Sequence, residues 1–129
     1  MNKLTIIGHL TGAEIEVKTF DQNYILSNSE DFKKPVVSGV YVLMYRGNII
    51  YVGSSMNVYK RIKSHKQKPR TMVFDSYFIH PVYNSDSTIC NTRDALLAHE
   101  RAYIIKFKPK HNKDYVEDRS IKRIQLKTF

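Results

Sequence analysis

Residues 39–57 read GVYVLMYRGNIIYVGSSMN. Two runs rich in Val, Ile and Tyr flank Arg46-Gly47-Asn48, a turn signal. The pattern predicts a β-hairpin with strands over 39–45 and 48–52. Gly53-Ser54-Ser55 breaks the second strand. Ser55 or Asn57 then caps a helix that runs to about Gln67 and is stopped by Pro69. Val58 and Ile62 give this helix an apolar edge. Arg61 and His65 lie four residues apart and project from a common face.

Outward from this hairpin the pattern is weaker. Residues 3–20 alternate loosely about Thr11-Gly12 (Leu4, Ile6, then Ile15, Val17, Phe20) and predict a second hairpin. Residues 21–38 are polar and read as an irregular connector ending at Pro35. Residues 71–83 read as a strand with Val73, Tyr77 and Ile79 among its core positions, and 84–91 as a polar loop. A helix is expected from about Thr92 to Lys106. Asp94 lies in its first turn and Lys106 and Lys108 near its end, both favoured by the helix dipole, and Pro109 terminates it. The apolar Ile121, Ile124, Leu126 and Phe129 fit a strand, a helix or a partner-contacting tail alike, and they are the candidates for a dimer surface.

The chain has 129 residues, 42% of them apolar, which suits one domain with a modest core. Neither a membrane-crossing run nor a secretory leader is visible, so a soluble cytoplasmic protein is expected. Cys90 is the single cysteine, which excludes an internal disulfide and a four-cysteine zinc site. Net charge is +9, and its placement is uneven. From Phe32 to Phe74 there is no Asp or Glu, while nine of the 21 basic residues fall there: Lys33, Lys34, Arg46, Lys60, Arg61, Lys63, Lys66, Lys68 and Arg70. The remaining twelve match the 12 acidic residues of the chain. A positive field concentrated on the hairpin–helix segment attracts phosphate backbones and weakens with salt. Lys60, Lys63, Lys66, Lys68 and Arg70 are the candidate nucleic-acid contacts.

Glu100 is the residue with the clearest chemical signal. Its helical neighbours are Leu96, Leu97, Tyr103 and Ile104, so a carboxylate stands in the middle of an apolar stripe. Such a group is paired, protonated or bound to a metal. An ion pair to an arginine and a metal-ligand role are equally compatible with the spacing. One carboxylate supplies part of a Mg²⁺ site, since this ion keeps waters and takes phosphate oxygens. Arg61 suits a non-bridging phosphate oxygen. A phenol beside the arginine and the metal is expected to have a lowered pKa and to act as general base. Tyr45, Tyr59 and Tyr77 read as core or rim, and no role follows for His9, His80, His99 or His111.

Gly39-Val40-Tyr41, Tyr51-Val52-Gly53, Arg61, His65, Glu100 and Asn112 together resemble the GIY-YIG nuclease family, with Val in place of Ile in both tripeptides. The resemblance implies a small α/β (α+β) domain with a central three-stranded antiparallel sheet flanked by helices. It covers a core over 38–113, leaving 1–37 and 114–129 as extensions of a single nuclease domain without a separate DNA-binding domain. It also implies Mg²⁺- or Mn²⁺-dependent hydrolysis to 5′-phosphate and 3′-hydroxyl ends. Glu100 would be the metal ligand and Arg61 would stabilise the scissile phosphate. Tyr41 or Tyr51 would activate water, His65 would support proton transfer or phosphate contact, and Asn112 would tie the site together by hydrogen bonds. Ser54, where repair-type members often carry Lys, points to the homing and phage branch rather than the excision-repair branch.

The leading expectation is a DNA endonuclease acting on duplex or branched DNA, with a homodimer as one route to double-strand cutting. An inactive nucleic-acid-binding module is the alternative, and the complete set of site residues counts against it. A basic structural protein, a third reading, gives no reason for Glu100.

Overall fold

Strand β3, Gly39–Tyr45, is buried along almost its whole length, which requires cover on both faces. In the computed structural model, which describes residues 2–8, 10–29, 38–67, 72–84, 92–112 and 126–128, that cover is two helices. β3 is the centre of an antiparallel sheet ordered β4-β3-β5, with β4 at Asn48–Ser55 and β5 at Ser76–Pro81. Helix α2, Val58–Lys66, packs Val58 and Ile62 against Tyr41, Leu43, Tyr77 and Ile79 on one face. Helix α3, Arg93–Phe107, packs Tyr103 and Ile104 against Val40, Val42, Val52 and Phe78 on the other. Side chains alternate across a strand, so one short strand feeds both cores.

The turn between β3 and β4 has positive φ at both Arg46 (49°) and Gly47 (77°), the two-residue geometry that matches strand twist. The register shifts between Leu43 and Met44: Leu43 pairs with Tyr51 and Met44 with Ile49. The extra residue, Ile50, keeps Ile49 and Val52 on the α3 side while Tyr51 stays beside Leu43 on the α2 side. Gly39 lies directly against the β5 backbone, and a Cβ there would overlap the His80 carbonyl oxygen.

The expected N-terminal hairpin is present as β1, Asn2–Ile7, and β2, Glu14–Thr19. Leu126–Thr128 of the C-terminal segment forms β6 and pairs with β1. This second sheet packs Ile6 and Val17 on Ala98 and Ala102 of α3, whose small side chains admit close approach. α3 is thereby held between two sheets.

Two expectations are corrected and a third is extended. The stretch read as irregular connector contains a short helix, α1, at Gln22–Ser27, with the Asp21 side chain accepting from the Tyr24 N–H and Ile25 fully buried. The strand read over 71–83 is shorter: Val73 is 55% exposed and precedes it, because Asp75 turns the chain by accepting from the Arg46 N–H. Tyr77 and Ile79 are core, as read. Asp94 does more than face a helix dipole. Its buried carboxylate accepts from Leu10 N (2.8 Å), Thr11 N (2.9 Å) and Thr11 Oγ1 (2.7 Å), fastening the β1–β2 turn to the start of α3. Gly8 is required there, since a Cβ would press on the Asp94 carboxylate. Charge-assisted hydrogen bonds of this kind contribute about 1.5–3 kcal/mol each and are not additive. Asp94→Ala is therefore expected to lower unfolding free energy by about 2–4 kcal/mol and to free the Leu10 and Thr11 amides to exchange. Unchanged hydrogen-exchange protection at those amides would refute the fastening role.

Lys68 and Arg70 of the basic tract, Lys33 and Lys34 before it, His9, Cys90, and Ile121, Ile124 and Phe129 of the C-terminal segment lie outside the described residues.

Candidate active site

The site is assembled where β4 hands over to α2. Asn57 caps α2 by accepting from the Lys60 N–H, and the neighbouring Ser55 Oγ accepts from Asn57 N. With Val58 and Ile62 fixed in the core, Arg61 and His65 turn toward β3 and β4. His65 Nε2 lies 2.9 Å from Tyr41 Oη. The Tyr41 and Tyr51 rings are 6.1 Å apart, and His65 is 5.2 Å from Tyr51. Gly53 makes the arrangement possible: a Cβ at this position would occupy the space of Tyr41 Cζ and Oη. The glycine of the second tripeptide thus exists for the tyrosine of the first.

α3 supplies the opposite wall. A cleft of ≈ 440 Å³ is lined by Tyr41, Tyr51, Ser54, Arg61, Arg93 and Glu100, with apolar contributions from Met56, Leu96 and Leu97. Glu100 is buried, and its two oxygens are held differently. Oε1 accepts from Ser54 Oγ (3.1 Å), and Oε2 lies 3.4 Å from Nη1 of the buried Arg101. The arginine pair that competed with the metal reading is therefore real, and it coexists with a place on the cleft wall. Among the described residues no group of three or more His, Cys, Asp or Glu side chains is placed so as to hold a metal ion. A divalent ion at Glu100 would draw its other ligands from water and substrate oxygens. One hard carboxylate facing an open polar cleft fits an ion that retains much of its hydration, such as Mg²⁺.

The expectation of a lowered phenol pKa is not met by the protein's own groups. Burial pushes Tyr41 well above the ordinary phenol value, the neighbouring Tyr51 and Glu100 add to this, and Arg61 opposes it as hydrogen-bonding partner and as charge. Tyr51 is raised as well, by burial and then by Glu100. Desolvation of the charged form outweighs one partly hydrated guanidinium. Both phenols are neutral near pH 7, and Tyr41 Oη and His65 Nε2 share a hydrogen bond whose direction follows the His65 tautomer.

A family model for the UvrC-like GIY-YIG domain matches residues 37–113, more than half of the chain. The chain belongs to the GIY-YIG family. Relatives include the UvrABC system protein C of Shewanella piezotolerans, 35% identical over 102 residues that cover 77% of this chain and 17% of that protein. The corresponding proteins of Shewanella halifaxensis and Hydrogenovibrio crunogenus are 33% and 32% identical. They are covered to 17% and 15% of their own length. The chain thus spans about a sixth of the curated relatives it matches. The preference for the homing and phage branch is not supported, since the matched model and these relatives are UvrC proteins. That preference rested on Ser54, whose hydroxyl serves a local need as donor to Glu100.

In this GIY-YIG domain Asn112 is fully buried in a single 3₁₀ turn, Lys110–Asn112. Its Oδ1 accepts from Val52 N (2.7 Å) and its Nδ2 donates to Val52 O (2.9 Å), clamping the backbone between Tyr51 and Gly53. Lys60, Lys63 and Lys66 are exposed along α2. Ser54 was read only as a branch marker, because Glu100 lies 46 residues away. Arg101 was not singled out because Glu100 is adjacent on a helix where side chains do not ordinarily meet, and Arg93 reaches the cleft only through the fold.

His80 and His99, given no role from the sequence, form a neutral cluster behind α3. Tyr103 Oη accepts from Phe20 N (3.0 Å) and is 2.7 Å from His80 Nδ1. Burial, followed by the His99 ring, pushes His80 down to about 4. The unfolded chain, with an ordinary histidine value near 6.5, then binds more protons below that pH. Stability is full above about pH 6.5 and falls as pH drops toward 4, by up to roughly 3 kcal/mol from this residue. In urea titrations the loss between pH 7 and 4.5 is expected to be smaller in His80→Gln. An identical loss in both proteins would refute the assignment.

Proposed function

We propose that the domain is a divalent-cation-dependent DNA endonuclease that hydrolyses phosphodiesters to 5′-phosphate and 3′-hydroxyl ends. The observation that carries this reading is the convergence of Tyr41, Tyr51, Arg61 and Glu100 on one cleft, with His65 hydrogen-bonding distance from Tyr41. Glu100 would hold Mg²⁺ or Mn²⁺, which when bound offsets charge on the phosphate and polarises water. The guanidinium of Arg61 holds a non-bridging phosphate oxygen and stabilises the charge that grows there during attack. The neutral Tyr41 takes the proton of the attacking water as its own O–H proton passes to His65. The water oxygen forms the new P–O bond opposite the 3′ oxygen, whose bond to phosphorus breaks and which leaves with a proton from solvent. Tyr51 packs the Tyr41 ring and orders the water. Lys60, Lys63, Lys66, Lys68 and Arg70 attract the DNA backbone.

A cytoplasmic protein is in keeping with this role. Among the described residues no helix is long and apolar enough to cross a membrane. Incubation with supercoiled plasmid, branched DNA and single strands, with and without Mg²⁺ or Mn²⁺, tests the proposal. Nicks bearing 5′-phosphate and 3′-hydroxyl are expected, and chelation abolishes them. Binding without cutting on every substrate would replace the enzyme by a nucleic-acid-binding module. A light-scattering mass that doubles with DNA would support the homodimer.

A further inference from the structure

One cation of the cleft has no place in the mechanism. Arg93 is the first residue of α3, is exposed, and lines the same cleft as Arg61 and Glu100. It stands seven residues before Glu100, two helical turns along one face, with Leu96 and Leu97 between them on the same wall. The rise along the axis is about 10 Å.

As a plain surface arginine it is badly sited. The positive end of a helix dipole disfavours a cation in the first turn. The one acid of that turn, Asp94, gives its carboxylate to Leu10 and Thr11 of the hairpin and not to Arg93. No described carboxylate forms an ion pair with Arg93. The Asp94 fastening also fixes the start of α3, so Arg93 is carried at a set height above Glu100.

Resting on the phosphodiester reading of the cleft, we infer that Arg93 binds a second backbone phosphate of the cleaved strand, within two nucleotides of the scissile one. The scissile phosphate already has Arg61 and the Glu100 side of the cleft. A further full charge on the same wall is matched by a second anion, and in a nucleic-acid strand the neighbouring phosphates supply it at regular spacing. A bidentate guanidinium recognises such an oxygen pair well. The substrate class that follows is a strand with consecutive phosphodiesters rather than an isolated phosphodiester.

The test couples one arginine to one phosphate. Oligonucleotides are made with a single neutral methylphosphonate at each of the two phosphates on either side of the cut, and compared with the native strand. Wild type and Arg93→Gln are measured by fluorescence anisotropy with Ca²⁺ and by cleavage with Mg²⁺. Arg93→Gln is expected to bind the native strand about tenfold more weakly, with a salt dependence shallower by about one ion. The loss appears in KM, with kcat held within about threefold. One methylphosphonate position should weaken wild type by a similar factor and leave the variant unaffected. Arg93→Lys should recover part of the affinity. Circular dichroism of the exposed-site variants is expected to match wild type. If every methylphosphonate weakens both proteins equally, or if Arg93→Gln binds as wild type does, the inference is wrong. If no strand is cut but the coupling appears in anisotropy, the enzyme reading fails and the Arg93 contact stands. If neither protein binds DNA, both fail.

Discussion

Replacing Glu100 with glutamine is expected to remove at least about 10³-fold of the Mg²⁺-dependent cleavage while leaving metal-free DNA binding within about threefold. Each tenfold corresponds to about 1.4 kcal/mol of transition-state stabilisation, so the loss is about 4 kcal/mol or more. Glutamine is the informative substitution because of the surroundings. Glu100 is buried, receives the Ser54 hydroxyl on Oε1, and has the buried Arg101 guanidinium 3.4 Å from Oε2. Alanine would open a gap and take a carboxylate away from a buried cation, a change that destabilises by about 3–5 kcal/mol in comparable cases. Lost activity in the alanine protein would then mix lost chemistry with lost structure. Glutamine also takes the negative charge away from Arg101, but it keeps the shape and an amide oxygen that still accepts a hydrogen bond, and it removes the charge that a divalent cation requires. Thermal midpoint and hydrogen exchange across α3 report whether the fold survives. A glutamine protein that cleaves within tenfold of wild type would show that Glu100 serves the Arg101 ion pair alone, and the metal site would have to be sought elsewhere.

How much of this was legible in the sequence depended on distance along the chain. The β3–β4 hairpin could be read because both strands and their Arg46-Gly47 turn fall within one short window. α3 could be read because its start, apolar stripe and terminating Pro109 are contiguous. Glu100 stood out by local contrast with Leu96, Leu97, Tyr103 and Ile104. What escaped was set by partners far away. Asp94 looks like an ordinary first-turn acid until the hairpin 83 and 84 residues earlier is laid against it. Ser54 looks like a branch marker until Glu100, 46 residues on, is found to accept its hydrogen bond. The helix at Gln22–Ser27 is too short for helical periodicity to register, and its one fully buried residue, Ile25, is visible only from the packed state. The direction of the phenol shifts was misjudged for a related reason. Residue types announce which charges are near Tyr41, but burial, the leading cause, belongs to the fold.

That balance around Tyr41 makes the second large effect specific. Arg61→Ala is expected to lower kcat by about 10²–10³-fold and DNA affinity by less than about fivefold. The asymmetry follows from where charge develops. Lys60, Lys63 and Lys66 remain on α2 to hold the backbone, whereas Arg61 alone on this helix lines the cleft. Arg61 also opposes the rise of the Tyr41 pKa, both as hydrogen-bonding partner and as charge. Its removal leaves burial, Tyr51 and Glu100 unopposed and raises the phenol further. In the relay the phenol stays neutral and its O–H proton passes to His65, so a less acidic Tyr41 slows that transfer and adds to the fall in kcat of Arg61→Ala. Arg61→Lys separates the two contributions. A lysine restores the charge, and with it part of the Tyr41 acidity, but not the planar fork that fits a phosphate oxygen pair, so the rate should remain well below wild type. An equal fall in kcat and affinity would reduce Arg61 to a phosphate anchor and shift the charge-stabilising role to another group on the cleft wall.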